Sequence, residues 1–353
     1  MGMLYIVFLT ARCNLRCRYC GGSIDESIMP PEITYELDML KEFVERDEKA
    51  ILAFYGGEPL LRVELMQEMM DEIKAEHYVL QTNGLFLKDV RKKYLKKLSS
   101  ILVSIDGVRE VNDYYKGDVY DRVLENVRWL QRFYGGDLIA RMVAGERTDI
   151  VRDVRHLLSL GFDHVHWQIN AVWSPEDLWS DFSRWVERYN SGITELVRWW
   201  REEIEKGRIP GIVPVLGVLK ALLFEPNTSP PCGAGKTSFA ITTDGRITAC
   251  PVCADFEWNI AGSLEDGIRR IVDIREPCSG CEYRNVCGGR CLFFNREWLW
   301  GKEGFELVCH TCKHLIEEVK KTLPSVFRAV EDGLFDLRDF YYPPFNNTTE
   351  IIP

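Results

Sequence analysis

The sequence predicts an α/β protein, a parallel sheet or partial (β/α)6 TIM-like barrel followed by a small cysteine-rich domain. Short apolar, β-rich runs alternate with amphipathic helical stretches through the first half of the 353 residues. The 12 cysteines fall into two groups, with none between positions 21 and 231. A proline-rich stretch, 207–231, separates the alternating part from the second group. The strand runs are 4–10, 51–55, 78–82, 101–105, 138–143 and 164–169. They are short and almost continuously apolar, as strands buried on both faces are. Helical periodicity fills the gaps at 33–44, 63–74, 88–98, 120–133 and 150–160, and a longer helix covers 176–206. The expected organisation is a barrel over 1–190, a helical and proline-rich connection over 191–230, a cysteine-rich domain over 231–320, and a helix and tail over 321–353.

Composition narrows the class. With 44 basic and 54 acidic side chains the net charge is −10, which argues against nucleic-acid and membrane-surface partners. The 46% hydrophobic and 28% charged content is that of a folded globular chain. The longest apolar stretch, 212–224, is broken by Pro214, Gly217 and Lys220 and is too short to span a bilayer. No basic, small-residue signal pattern precedes Cys13, so a cytoplasmic protein is expected. Thiols stay reduced there, which makes clustered cysteines metal ligands or catalytic groups before disulfides.

Four of the strand ends carry motifs. After the first comes Cys13-Asn14-Leu15-Arg16-Cys17-Arg18-Tyr19-Cys20, a C-x3-C-x2-C pattern. Three thiolates on one loop suit three corners of a four-iron cluster, or a zinc site completed from elsewhere. After the second comes Gly56-Gly57-Glu58-Pro59, either a close backbone approach to a ligand or a plain strand-to-helix turn. Thr82-Asn83-Gly84 follows the third, and by itself it is a common turn. Ser104-Ile105-Asp106-Gly107 follows the fourth and puts a hydroxyl and a carboxylate on one strand face, fit for a ribose or an amino-acid head group; local capping by Asp106 is the alternative.

The second cysteine group reads Cys232, Gly245-x4-Cys250, Cys253, Cys278-x2-Cys281-x5-Cys287-x3-Cys291, then Cys309 and Cys312. Nine cysteines in that span exceed what packing requires. Paired C-x2-C knuckles also suit zinc.

The ordered series of strand-end motifs resembles the radical S-adenosylmethionine (SAM) superfamily over residues 3–170. The resemblance implies a [4Fe–4S] cluster on Cys13, Cys17 and Cys20, with SAM on its open iron. It places Tyr19 against the adenine and Gly56, Gly57 and Glu58 around the methionine amino group. Asn83 joins the SAM contacts, and Ser104 and Asp106 lie near the ribose and methionine carboxylate. Lys116 stands where close relatives carry an arginine for that carboxylate, which keeps the charge but loses the bidentate fork. The second cysteine group is similar to the SPASM domain. That likeness implies two auxiliary [4Fe–4S] clusters. The outer one would sit on Cys278, Cys281, Cys287 and Cys309. The inner one would sit on Cys232, Cys250 and Cys291, with Cys253 as the fourth candidate. Cys312 is then a spare thiol.

The family implies a 5′-deoxyadenosyl radical that removes hydrogen from an unactivated carbon. SPASM relatives, including archaeal peptide-modifying members that the chain resembles, mostly act on peptides or proteins. A peptide oxidation is therefore expected, as a dehydrogenation, crosslink or thioether; a small-molecule dehydrogenase or mutase is the alternative. A strand starting near residue 3 leaves no room for an N-terminal leader-binding domain, so a separate leader-binding protein or direct recognition is expected. A ferredoxin or flavodoxin would donate the electron. Sulfatase-maturing relatives carry Asp after the cysteine matched by Cys250; here Pro251 follows, which weighs against formylglycine formation. The base is unassigned, with Asp255, Gln168 and His166 as candidates. His164, His166 and Gln168 share one face of the sixth strand, whether as core or as substrate-facing groups. The tryptophans Trp173, Trp179, Trp185, Trp199 and Trp200 are expected to pack a helix on the barrel, and the aromatic tail beyond residue 335 either to shield the substrate cleft or to fray.

Overall fold

The computed structural model describes residues 2–171, 178–298, 300–343 and 353. Six strands come first: β1 (Leu4–Phe8), β2 (Ile51–Tyr55), β3 (His77–Thr82), β4 (Leu98–Ser104), β5 (Asp137–Ala144) and β6 (His164–Ile169). They are parallel and lie side by side in chain order. Helical crossovers join the first five to their successors: α1 (Leu37–Val44), α2 (Val63–Glu72), α3 (Lys92–Leu95), the pair α4 (Arg109–Lys116) and α5 (Tyr120–Leu130), and α6 (Ile150–Ser159). This is the partial TIM-like barrel that the alternating pattern predicts.

Alternation along each strand explains the unbroken apolar runs. Leu4, Ile6, Phe8, Ile51, Ala53, Val79, Leu102 and Ile139 point inward and form one buried cluster. Their neighbours Tyr5, Val7, Leu52, Phe54, Leu80, Ile101, Val103, Ala140 and Met142 join the core under the helices. Each large side chain buried this way contributes roughly 1.5–3 kcal/mol, so neither face tolerates a polar period.

The chain continues through α7 (Phe182–Glu205), α8 (Val213–Leu223), β7 (Ser238–Ile241), β8 (Arg246–Thr248), β9 (Ile260–Ser263) and β10 (Gly267–Ile268). It ends with α9 (Arg284–Cys287), α10 (Leu292–Glu297), α11 (Gly301–Lys320) and α12 (Leu323–Glu331). β7 lies parallel to β1 on its free edge, from Leu4↔Ser238 to Val7↔Ile241. The antiparallel strands β8, β9 and β10 extend the same sheet. The cysteine-rich region is thus hydrogen-bonded into the barrel sheet.

Several elements differ from their expected bounds. The helix expected from 33 starts at Leu37, because Thr34 N donates to Thr243 O at 2.8 Å and holds that segment extended. The helix expected over 88–98 shrinks to Lys92–Leu95. Val90 and Arg91 are extended there, and Leu98 already opens β4. The proline-rich stretch carries α8, with Pro214 in its first turn and residues 213–221 buried. Gly211 O accepts from Val165 N at 2.7 Å, which seats this stretch on the edge of β6.

α7 starts where the Asp181 carboxylate accepts from Arg184 N, and Trp185 and Trp200 are fully buried as packing residues. Trp173 lies outside the described residues. The tail through residue 343 packs on the N-terminal edge of the barrel. Phe340 and Tyr342 are buried, and the Tyr342 ring lies 5.1 Å from that of His164, the first residue of β6. This part of the tail packs on α7, α8 and the start of β6, and residues 344–352, which the expectation of a shield also covers, lie outside the described residues. No helix among the described residues is long and apolar enough to cross a membrane.

Candidate functional site

The three-cysteine loop leaves the C-terminal end of β1 and is fastened on several sides. Cys13 N donates to Ser23 Oγ at 2.9 Å. Arg18 N donates to Tyr115 O at 2.9 Å and Arg18 Nε to Tyr114 O at 2.7 Å, which ties the loop to α4. Asn83 Nδ2 donates to Asn14 Oδ1 at 2.8 Å and ties it to the end of β3. Cys13, Cys17 and Cys20 are all free thiols, half-buried, buried and exposed in that order. Cys17 hydrogen-bonds Cys20, which holds the Cys20 thiol down at about 6 and pushes Cys17 up; burial adds to the Cys17 rise. Burial also raises Cys13. The Lys116 ammonium favours the thiolate of all three.

The two glycines after β2 have a structural cause. A Cβ on Gly56 would stand 2.3 Å from Thr10 O, and one on Gly57 2.3 Å from Arg12 O. Gly57 N donates to Thr10 O and Glu58 N to Arg12 O, both at 2.9 Å. The segment therefore lies against the root of the cysteine loop, closer than any side chain permits. The Glu58 carboxylate turns to its own neighbours. It accepts from Leu60 N at 2.9 Å, Thr82 Oγ1 at 2.7 Å and Asn83 N at 2.7 Å, joining the ends of β2 and β3. Burial pushes this carboxyl up to about 7 against the pull of those donors.

Asp106 is the hub of the opposite side and is fully buried. Its carboxylate accepts from Tyr19 OH at 2.8 Å and from Val143 N at 3.0 Å, and lies 3.6 Å from Lys116 Nζ. Lys116 also stands 5.6 Å from the centre of the Tyr19 ring. One carboxylate thus links the cysteine loop, α4 and β5. The structure brings Cys13, Cys17, Cys20, Tyr19, Gly56, Gly57, Glu58, Asn83, Asp106 and Lys116 into one hydrogen-bonded or electrostatically linked rim. The Lys116 ammonium faces Asp106.

Inside the barrel, register places Ser104, Arg141 and His166 side by side on β4, β5 and β6. Arg141 and His166 are buried. Arg141 hydrogen-bonds the Gln168 side-chain oxygen and donates to Met142 O at 3.2 Å. His164, the first residue of β6, pairs with Asp137 at 2.7 Å. His156 lies on α6 and hydrogen-bonds Tyr120 OH, away from the rim. Arg141 was not singled out from sequence, although a lone cation within an apolar strand run is a visible signal.

In the second cysteine group, Cys250, Cys253 and Cys291 are buried in the main core and Cys232 packs against it. Asn259 is fully buried and clamps the Cys250–Cys253 turn. Its Oδ1 accepts from Cys250 N, and its Nδ2 donates to Cys250 O and Cys253 O, each at 2.8 Å. Asn259 carries no motif and was missed from sequence. Cys278 and Cys309 each lie within electrostatic reach of Cys281, of Cys287 and of each other. Cys312 belongs to this group as well: a hydrogen bond to it, with burial, pushes Cys287 up, and its own thiol donates to Pro353 O at 2.9 Å. Asp255 is exposed.

Among the described residues no three acidic, histidine or cysteine donors converge as a single-ion site. The thiolates of a cluster bind separate irons, so cluster ligands need not converge on one point. Three free thiols on one anchored loop beside a buried ammonium fit such a donor set.

Residues 7–158 match the radical SAM superfamily, and the chain carries a radical SAM domain. It is 22% identical over 325 residues to the cysteine-type anaerobic sulfatase-maturating enzyme of Clostridium perfringens, covering 79% of this chain and 85% of that one. An uncharacterized protein of Archaeoglobus fulgidus is 23% identical over 321 residues, covering 80% and 72%. The fold is similar to that of anSMEcpe with bound AdoMet and the Cp18Cys peptide, at a TM-score of 0.70 and 18% identity over 94% of this chain and 100% of that one. Streptococcus suis SuiB bound to precursor peptide SuiA gives a TM-score of 0.55 at 13% identity, over 84% and 73%.

Proposed function

We propose that this protein is a radical SAM enzyme of the SPASM type that oxidatively modifies a peptide or protein, with net removal of two hydrogens. The observation that carries the reading is the linked rim at the strand ends, where Asp106 joins Tyr19 and Lys116 beside three free thiols. Cys13, Cys17 and Cys20 would hold a [4Fe–4S] cluster, and SAM bound on it supplies, once reduced, a radical able to take hydrogen from an unactivated carbon. Tyr19, Gly56, Gly57, Asn83, Ser104 and Lys116 would line the SAM site. Glu58 and Asp106 act behind it, since their carboxylates hold neighbouring loops in place. Cys278, Cys281, Cys287 and Cys309, and Cys232, Cys250, Cys253 and Cys291, would hold two auxiliary clusters. A barrel over 1–190 and a SPASM domain over 231–320 would divide these tasks, with a ferredoxin or flavodoxin as electron donor.

The inward position of His166 and Gln168 favours them over exposed Asp255 for contact with substrate. The peptide substrate is supported by the likeness to proteins solved with Cp18Cys and SuiA. Pro251 after Cys250 points to a product other than formylglycine. The test is anaerobic incubation of cluster-loaded protein with SAM and dithionite. The wild type is expected to form 5′-deoxyadenosine, and Cys17→Ala to form none. Short peptides encoded beside the gene are then expected to lose two hydrogens by mass. No 5′-deoxyadenosine from the wild type refutes the reading.

A further inference from the structure

We propose that the groove between α5 and α6, on the outer side of the barrel, binds a small phosphorylated molecule that carries an apolar or ring portion. The groove has a volume of about 440 Å³, within the size range of small-molecule sites. It lies away from the strand-end rim and stands whether or not the barrel performs radical chemistry. The two helices are pinned to each other on either side of it. Near the start of α5, Tyr120 OH hydrogen-bonds His156. Just past its end, Gln131 Nε2 donates to Leu160 O at 3.1 Å and to Gly161 O at 2.9 Å. Between these ties Leu124, Leu160 and the Tyr120 ring supply an apolar lining. The groove is therefore formed before anything enters it, which spares a ligand the cost of ordering its walls.

Its charges do not cancel. Asp121 is held by both terminal nitrogens of Arg109, and Glu125 by Lys88 Nζ at 2.5 Å. Burial holds the His156 imidazole below its usual value, so it adds no charge at neutral pH. Arg128 and Arg132 are exposed, line the groove and form no salt bridge among the described residues. They stand one helical turn apart, where like charges repel. A helix C-terminus favours cations by itself, but gives no reason for an apolar lining between pinned helices beside them. Two guanidiniums match the charge of one phosphate ester, about −1.5 to −2 near neutral pH, and each meets its oxygens through paired N–H donors. The apolar lining takes the rest of the molecule.

The test is calorimetric titration of the full, cluster-loaded chain with three probes: phenyl phosphate, inorganic phosphate and benzoate. Phenyl phosphate is expected to bind one per chain, about tenfold more tightly than inorganic phosphate, which lacks the ring, or benzoate, which lacks the second charge. The double variant Arg128→Gln and Arg132→Gln should weaken phenyl phosphate by about 10- to 100-fold, the range of hydrogen bonds to a charged group. Arg122→Gln removes a guanidinium from α5 outside the groove and should leave the affinity within about twofold of wild type. Lysine at both 128 and 132 keeps the charge but loses the fork, and should weaken binding too; it decides the matter if the glutamine pair does not fold. The proposal is overturned by any of four results: no saturable binding of phenyl phosphate at millimolar concentrations, benzoate binding as tightly, an affinity untouched by the paired substitutions, or a loss from Arg122→Gln as large as theirs.

Discussion

Replacing Asp106 with Asn removes one negative charge from the point where the cysteine loop, α4 and β5 meet. The amide oxygen keeps the acceptor for Val143 N, and the amide NH2 replaces the oxygen that faces Tyr19 OH and Lys116, so the loss falls on the pair with Lys116, 3.6 Å away, and on the Tyr19 hydrogen bond beside it. Both partners are almost completely buried, with side-chain exposures of 5% and 0%. Leaving one charge of a buried pair without the other costs about 3–5 kcal/mol. Lys116→Met should cost a similar amount from the other side. The double variant removes both charges together and should be much less destabilised than the sum of the single changes. The expected coupling is about 3 kcal/mol, far above the ~0.5 kcal/mol scatter of independent sites. At ~2.1 cal/mol/K per residue, each single variant lowers the unfolding midpoint by about 4–7 °C if the chain melts as one unit. Urea unfolding of the four proteins, followed by circular dichroism without oxygen, measures the cycle. Additive single effects would refute the hub.

Glu58 predicts a pH dependence of stability. Its carboxyl is raised from about 4.5 to about 7 by burial, so the native state holds this proton more tightly than the unfolded chain does. Its stabilising contribution is complete below pH ~4.5 and is lost as pH rises through ~7, by about 3 kcal/mol in total. The unfolding free energy of wild type minus Glu58→Gln should fall between those values; a flat or rising difference contradicts the burial argument. Asn259→Ala removes three hydrogen bonds from the Cys250–Cys253 turn. It should lower iron bound by the C-terminal cysteines while SAM cleavage persists, as read by iron analysis and 5′-deoxyadenosine formation. Deleting residues 340–353 removes buried Phe340 and Tyr342 from their seats against Trp200 and His164. It should destabilise the protein by several kcal/mol, near ~3 for each large aromatic lost, with SAM affinity unchanged. Thermal unfolding and equilibrium binding separate the two effects.

The barrel was legible because both strand faces are buried, so each strand announces itself as an apolar run. The motif loops were legible because cysteine spacing and paired glycines are rare local signals. Hydrogen-bond partners were not. Nothing in Asn259 or Asn14 marks them as clamps, since an asparagine is chosen for its partner and the partner is not next to it in sequence. Spacing gave the position of Lys116 on α4, and only the fold shows that Asp106 faces it. Arg141 was visible as a charge within an apolar strand, but its meaning depends on the β4–β5 register. The short α3 escaped the periodicity because Val90 is buried in an extended conformation, and an apolar residue at the right spacing does not reveal its backbone angles. The aromatic composition of the tail says that it packs, not where.

The most direct measurement of the central claim is iron, sulfide and zinc per chain, on protein purified and reconstituted without oxygen. The account predicts about twelve irons with matching sulfide and little zinc, falling to about eight when Cys13, Cys17 and Cys20 are all changed to Ala. About four irons with one or two zincs would leave the barrel its cluster but remove the auxiliary ones. Iron content unchanged by the triple substitution would contradict the assignment of the cysteine loop itself.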